Sequence, residues 1–159
     1  MQIHKDTKIG HIHLKVSDLQ KSEDFYTKIL GFSVTNKISN SAVFLSAGGY
    51  HHHIGLNTWE SKDGNRPPTN STGLYHFAIL LPNRKELAKV LKNIIENNYP
   101  ISGAADHDVS EAIYLEDPDG NGIELYVDRP ESEWEKEGDK IKMGTKHFDL
   151  EELLEELDK

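Results

Sequence analysis

Two stretches of this chain, one opening at Gly10 and the other at Leu74, carry the same pattern about 65 residues apart, as a duplicated supersecondary unit does. That duplication constrains the fold more than any other feature. In the first copy Ile12, Leu14 and Val16 alternate with His11, His13 and Lys15, the period of a half-buried strand. In the second, Tyr75, Phe77, Ile79 and Leu81 alternate with His76, Ala78 and Leu80. A helix follows each strand. Asp18 is placed to cap one whose apolar stripe runs Leu19, Phe25, Tyr26, Ile29, Leu30 and stops at Gly31. Asn83 is placed to cap the other, with Leu87, Val90, Leu91, Ile94 and Ile95 at helical spacing and Asn97-Asn98-Tyr99-Pro100 as its end.

Three short strand-like runs follow each helix. In the first half they fall near residues 32–39, 42–46 and 52–58, and in the second near 101–103, 112–116 and 122–127. Ser39-Asn40-Ser41, Gly48-Gly49 and Asp117-Pro118-Asp119-Gly120-Asn121 supply the turns. The expected fold is therefore α+β: two tandem βαβββ modules, residues 9–59 and 74–128, forming a curved mixed sheet with the helices outside. Residues 60–73, rich in Gly, Pro, Asn and Ser, read as the linker. An acidic tail, residues 129–159, follows, in which Asp149 caps a short helix striped by Leu150, Leu153, Leu154 and Leu157. At 159 residues, one domain is expected.

Composition narrows the chemistry. With no cysteine there are no disulfides, thiolate ligands or thiol nucleophiles, so any metal must sit among histidine and carboxylate donors. A formal charge of -9 argues against nucleic acid or an anionic membrane as partner. No apolar run approaches the roughly 20 residues of a membrane span. Nothing at the N-terminus resembles an export signal, and the expected location is the cytoplasm. Walker, dinucleotide-binding, nucleophile-elbow and HExxH motifs are absent.

If the branched apolar faces pack on the helices, the opposite faces carry His11, His13, His53, Asn57, His76, Glu124 and Tyr126. Glu124, between Ile123 and Leu125, must point away from the core, and a carboxylate partly out of water needs donors, a counter-charge or a metal. His11 and His76 stand at matching positions of the two copies. Two imidazoles and one carboxylate suit a divalent first-row metal with open coordination positions. Taken singly, each has a plain alternative as a strand histidine or a salt-bridge partner. In His51-His52-His53, alternation sends His52 to the face opposite His53, which speaks against a chelating cluster and leaves His53 as an acid–base candidate. Tyr114, on the neighbouring strand ten residues before Glu124, is placed to hydrogen-bond a bound oxygen. His107, in a loop, is a candidate to gate or protonate a substrate.

The segments Ile9-Gly10-His11-Ile12-His13-Leu14-Lys15-Val16-Ser17-Asp18-Leu19, Phe25-Tyr26, Leu30-Gly31-Phe32 and Asp117-Pro118-Asp119-Gly120-Asn121-Gly122-Ile123-Glu124-Leu125 resemble the vicinal-oxygen-chelate superfamily. That superfamily holds glyoxalase I, extradiol dioxygenases, fosfomycin-resistance thiol transferases and bleomycin-resistance proteins. The residues around Tyr50 to Trp59, Gly73 to Leu80, and Asp128-Arg129-Pro130 are similar to its catechol-2,3-dioxygenase-like branch. The resemblance implies metal ligands at His11, His76 and Glu124, with Fe(II) as the metal and Mn, Ni or Zn as alternatives. It implies a catechol-like diol as substrate, with His53 moving a proton, Tyr114 orienting the intermediate, and a homodimer as the assembly. Glyoxalase I carries a fourth ligand where this chain has Ile54 and Gly55, which favours the extradiol reading. A glyoxalase-like lyase or isomerase, a thiol transferase, and a non-catalytic ligand-binding protein of the bleomycin-resistance kind remain the alternatives.

Overall fold

A computed structural model describes residues 1–159, which divide into two compact units, Met1–Pro67 and Pro68–Lys159. Each unit is built on one βαβββ module. The first runs β1 (Ile12–Lys15), α1 (Leu19–Asp24), β2 (Ser33–Ile38), β3 (Ala42–Ser46) and β4 (Ile54–Asn57). Its sheet has the order β1-β4-β3-β2, with β1 and β4 parallel and the other pairs antiparallel. The second runs β5 (Phe77–Leu80), α2 (Arg84–Glu96), β6 (Gly103–Asp106), β7 (Ser110–Glu116) and β8 (Gly122–Asp128). Its order, β5-β8-β7-β6, and its parallel first pair repeat the topology of the first unit. No helix is long and apolar enough to cross a membrane.

The expected caps are in place because their chemistry is local. Asp18 accepts a hydrogen bond from the Lys21 N–H and Asn83 one from the Glu86 N–H, each satisfying a backbone donor that the first helical turn leaves open. Gly31 ends the first helical segment at φ 83°, in the left-handed region where a side chain is disfavoured. That segment is not α-helical throughout. From Phe25 to Ile29 it widens into a π-helical turn, in which the Leu30 N–H reaches back to the Phe25 carbonyl at 3.2 Å. The consecutive rings of Phe25 and Tyr26 are both buried there and meet edge to face at 4.9 Å. A 3.6-residue stripe does not announce that change of period.

Strand alternation sorts the faces of the second sheet as expected. Ile123, Leu125 and Val127 of β8 are buried, while Gly122, Glu124 and Tyr126 stand on the other face. Leu87, Ala88, Leu91 and Ile94 form the buried side of α2, and Ile95, though in the apolar stripe, is left exposed. The fifth, sixth and seventh strands differ in extent from the sequence expectation. The fifth strand starts at Phe77, so Tyr75 and His76 precede it. The sixth spans Gly103–Asp106 rather than 101–103, and the seventh begins at Ser110 rather than Ala112. Gly-Ala-Ala-Asp has little intrinsic strand preference, and its pairing with β7 (Gly103 to Tyr114, Ala105 to Ala112) decides the matter.

The tail belongs to the second unit. A small hairpin, β9 (Lys136–Glu137) and β10 (Lys140–Ile141), leads to residues that bridge Asp106 through Lys146, and then to α3 (Leu150–Leu154), capped by Asp149. Phe148 and Leu153 are buried, and Arg84 at the start of α2 pairs with Glu152 and Glu156 of the tail and with Glu111 of β7. Arg129 reaches the same Glu111 and Asp106. Burial pushes the Glu111 carboxyl above the usual range, and the two guanidinium groups only partly offset that push.

Candidate functional site

In the second unit four of the side chains singled out in the sequence form a line. Tyr114 and Glu124 are cross-strand partners on β7 and β8, which places them side by side on the face turned away from α2. The Tyr114 hydroxyl donates to Glu124 Oε1 at 3.0 Å, and Glu124 Oε2 lies 3.0 Å from His76 Nε2. On the other side of Tyr114, His107 Nε2 stands 2.7 Å from the hydroxyl. His107 sits in the β6–β7 turn, its N–H bonded to the Ser110 carbonyl. The Glu124 side chain is 15% exposed and that of His76 32%, so the line leads from a sheltered carboxylate towards solvent. Burial, and then the hydrogen bond to Glu124, push the Tyr114 phenol up to about 12. The hydroxyl therefore keeps its hydrogen at neutral pH and remains a donor.

Turn chemistry sets His76 in place. The buried Asp117 carboxylate accepts from the Asp119 and Asn121 N–H groups, each at 2.9 Å, and Gly120 takes φ 84°. This tight turn delivers Gly122 against the backbone just before β5. A side-chain carbon at 122 would run into the Tyr75 carbonyl and stand 3.1 Å from His76 Cβ. Only glycine lets that segment lie close enough for the His76 ring to meet Glu124. Gly122→Ala should displace His76 from Glu124 and weaken divalent-metal affinity by roughly 10- to 100-fold, the scale of losing a ligand-orienting contact, as read by titration calorimetry. An unchanged affinity would mean that the Gly122 approach does not set the His76 position.

The first unit gathers rings around His11. His11, just before β1, packs against His52 at 4.4 Å between centroids, and His52 meets Phe44 at 5.1 Å. His13 lies over Gly55, where a side-chain carbon would come within 2.9 Å of its ring, and it meets Phe44 and Trp59 at 5.8 and 5.5 Å. His53 lies against Tyr50, its Nδ1 held by Ser46 Oγ at 3.1 Å and by the Ala47 N–H at 3.3 Å. Residues 51–53 precede β4, which begins at Ile54, and the two side chains part there: His53 keeps to Tyr50 and Ser46 while His52 goes to His11 and Phe44. It is His52 that touches His11, a contact that sequence periodicity missed. Burial first, and then the neighbouring His11, hold the His13 and His52 imidazoles below their usual value, which favours the neutral form a metal or a proton acceptor requires. Beside these rings an open cleft of about 480 Å³ is lined by Phe44, Tyr50, His51, His52, Thr35 and Asn36. A second cleft of about 440 Å³, lined by Asp18, Lys37, Lys62 and Asp63 beside α1, holds none of the candidate residues.

The donors of the second unit suit a divalent cation. Two ligands in adjacent positions about a first-row ion, with bonds of about 2.1 Å, stand about 3 Å apart, the separation of His76 Nε2 and Glu124 Oε2. Within this unit the donor set stops at these two, since no third His, Asp or Glu joins them.

Comparison with known proteins places the geometry in a family. Residues 8–125 match the family model described as Glyoxalase/Bleomycin resistance protein/Dioxygenase superfamily. The chain is 46% identical over 157 residues to a catechol-2,3-dioxygenase of Bacillus subtilis (strain 168), covering 97% of this chain and 53% of that protein. It thus spans about half the length of that relative. A virulence protein of Salmonella typhimurium is 34% identical over 122 residues, 74% of this chain and 82% of its own. Among solved structures, a glyoxalase/dioxygenase from Nostoc punctiforme superimposes with a TM-score of 0.63 at 24% identity, covering 77% of this chain and 92% of that one, a likeness of fold.

Proposed function

This chain belongs to the glyoxalase/bleomycin resistance protein/dioxygenase superfamily, and from that footing we propose that it is an extradiol-type dioxygenase that opens the ring of a catechol-like diol. In this reading His11, His76 and Glu124 hold Fe(II), His53 moves a proton and Tyr114 orients the oxygen of the reacting diol. The chain works as a cytoplasmic homodimer. The observation that carries it is the Tyr114–Glu124–His76 line. One carboxylate oxygen is turned to an imidazole nitrogen at ligand spacing, and the other holds a phenol whose hydrogen is not lost at neutral pH. The likeness to the Bacillus subtilis enzyme supports the same reading.

The bound metal would supply adjacent coordination positions for the two diol oxygens and for dioxygen. The chain's own residues do the rest. Glu124 contributes the negative charge that offsets the cation. Tyr114, pinned between His107 and Glu124, presents its hydroxyl along a set direction. In the first unit the rings of Phe44, Tyr50 and His52 line an open cleft. Gly55, with the His13 ring lying across it, offers no fourth carboxylate, and this favours ring cleavage over the glyoxalase reaction.

The test is elemental analysis of protein purified without an affinity tag, wild type and His11→Ala, with oxygen uptake on a panel of catechols after anaerobic Fe(II) loading. Near-stoichiometric iron or manganese that falls in the variant, with diol-dependent oxygen consumption, is the expected result. Metal without oxygen uptake would turn the assignment to a lyase, isomerase or thiol transferase on the same scaffold. Saturable ligand binding that His11→Ala leaves untouched, with no metal in either protein, would make the chain a binding module.

A further inference from the structure

The segment between the small hairpin and α3, residues 142–147, does more than connect them. It lies along the free edge of β6. The Asp106 N–H bonds to the Lys146 carbonyl at 3.0 Å, and the Lys146 N–H to the Asp106 carbonyl at 2.8 Å, an isolated two-bond antiparallel bridge at the end of β6. One turn earlier the Gly144 N–H donates to the His107 carbonyl at 3.2 Å, and the Gly144 carbonyl stands 2.8 Å from His107 Nδ1. Lys146 Nζ pairs with Asp108, the residue after His107, and Lys142 is anchored to Glu135 through both its backbone N–H and its side chain.

We propose that this C-terminal arm is a positioning device for the site, and that His107 is a positioning residue acting through Tyr114. The inference rests on the reading of Tyr114 and Glu124 given above. A backbone carbonyl only accepts hydrogen bonds, so the Gly144 contact requires a hydrogen on His107 Nδ1. That contact also bars the 180° ring flip, which would put a carbon where the donor must be. With Nδ1 claimed by the arm, Nε2 is the atom left for Tyr114, at 2.7 Å. Tyr114 gives its one hydrogen to Glu124 Oε1, so at His107 its oxygen must accept, and the ring bonds through hydrogens on both nitrogens, Nδ1 to Gly144 and Nε2 to Tyr114; the direction of the hydroxyl is then set at both ends. The orientation of a group on β7 is thus decided by a backbone atom some thirty residues further on, outside both βαβββ modules. A side-chain carbon at 144 would push aside the Asp108 carboxylate, which pairs with Lys146 of the same arm.

Nitrogen-15 NMR of the full-length, metal-free chain reads this directly, since long-range proton–nitrogen correlations distinguish a hydrogen on Nδ1 from one on Nε2. The His107 ring of the wild type should show a protonated Nδ1. Gly144→Ala, which turns the Asp108 carboxylate out of its pair with Lys146, and Lys146→Pro, which deletes one N–H of the bridge, should each loosen the arm and erase that signature. Either variant suffices if the other does not fold. Two further variants separate anchoring from positioning. In His107→Gln the side chain reaches Tyr114 as Nε2 does, and turnover should stay within about tenfold of wild type. His107→Asn keeps only the Gly144 contact, and kcat should fall by roughly 10- to 100-fold with KM little changed.

A bare Nδ1 in the wild type, or ring signals unmoved in both arm variants, would overturn the proposal. These readings need neither metal nor substrate. A protein with the expected His107 signature but no oxygen uptake would lose the proposed activity and keep the arm's role.

Discussion

Glu124→Ala is expected to leave the purified chain without its divalent metal and to lower kcat/KM by roughly 10³-fold or more, because a bound cation supplies several kcal/mol of charge stabilisation. Glu124 is the hinge of the site: one oxygen faces His76 and the other takes the Tyr114 hydrogen bond. Removing it takes away the only negative donor in the proposed set and frees Tyr114 to turn. Because the side chain lies on the face opposite the buried Ile123 and Leu125, the fold should be undisturbed, with an unchanged circular dichroism spectrum. Glu124→Gln sharpens the test. It keeps an acceptor for Tyr114 and nearly the same shape but loses the charge, and it should lose the metal too. Stoichiometric metal in either variant would show that the ligand assignment is wrong.

Leu153→Ala is expected to destabilise the protein by about 3 kcal/mol, within the range of roughly 2–5 kcal/mol for truncating a buried leucine. For a chain of this size that is a fall in melting temperature of roughly 6–12 °C. Leu153 is fully buried, whereas Leu150, Leu154 and Leu157 of the same stripe are only half-buried. Leu154→Ala should accordingly cost less than half as much. Chemical denaturation with unchanged slope checks both values. A loss below about 1 kcal/mol for Leu153→Ala would mean that the tail helix is an appendage and not a part of the core.

The tail illustrates how far local reasoning carries. Asp149 as a cap and the leucine stripe are legible in the chain, since a cap needs only neighbours three residues away and a stripe only the 3.6-residue period. Whether that stripe served as lid, interface or brace was not legible. The answer lies in its seat on α2 and in Arg84, which comes from a segment nearly seventy residues earlier. The same division runs through the candidate site. That Glu124 faces away from the core follows from its place between Ile123 and Leu125. That Tyr114 lies directly opposite it follows from the β7–β8 register, which the Asp117 turn fixes and which the ten-residue spacing hints at. His107 against Tyr114 carries no comparable signal, because it depends on where the turn between β6 and β7 folds back.

What the sequence by itself determined is the duplicated βαβββ order, the helix caps, the turns, and which side chains of each strand share a face. All of these follow from covalent geometry and contacts within a few residues. What only the tertiary structure decided is the π-helical turn at Phe25, the start of β6, the packing of His52 on His11, and the arm that holds His107. The last three depend on contacts between segments that are not neighbours in the helix or turn period. There the winning arrangement is set by register and by space left free, as at Gly55 and Gly122, and not by any preference of the residues concerned.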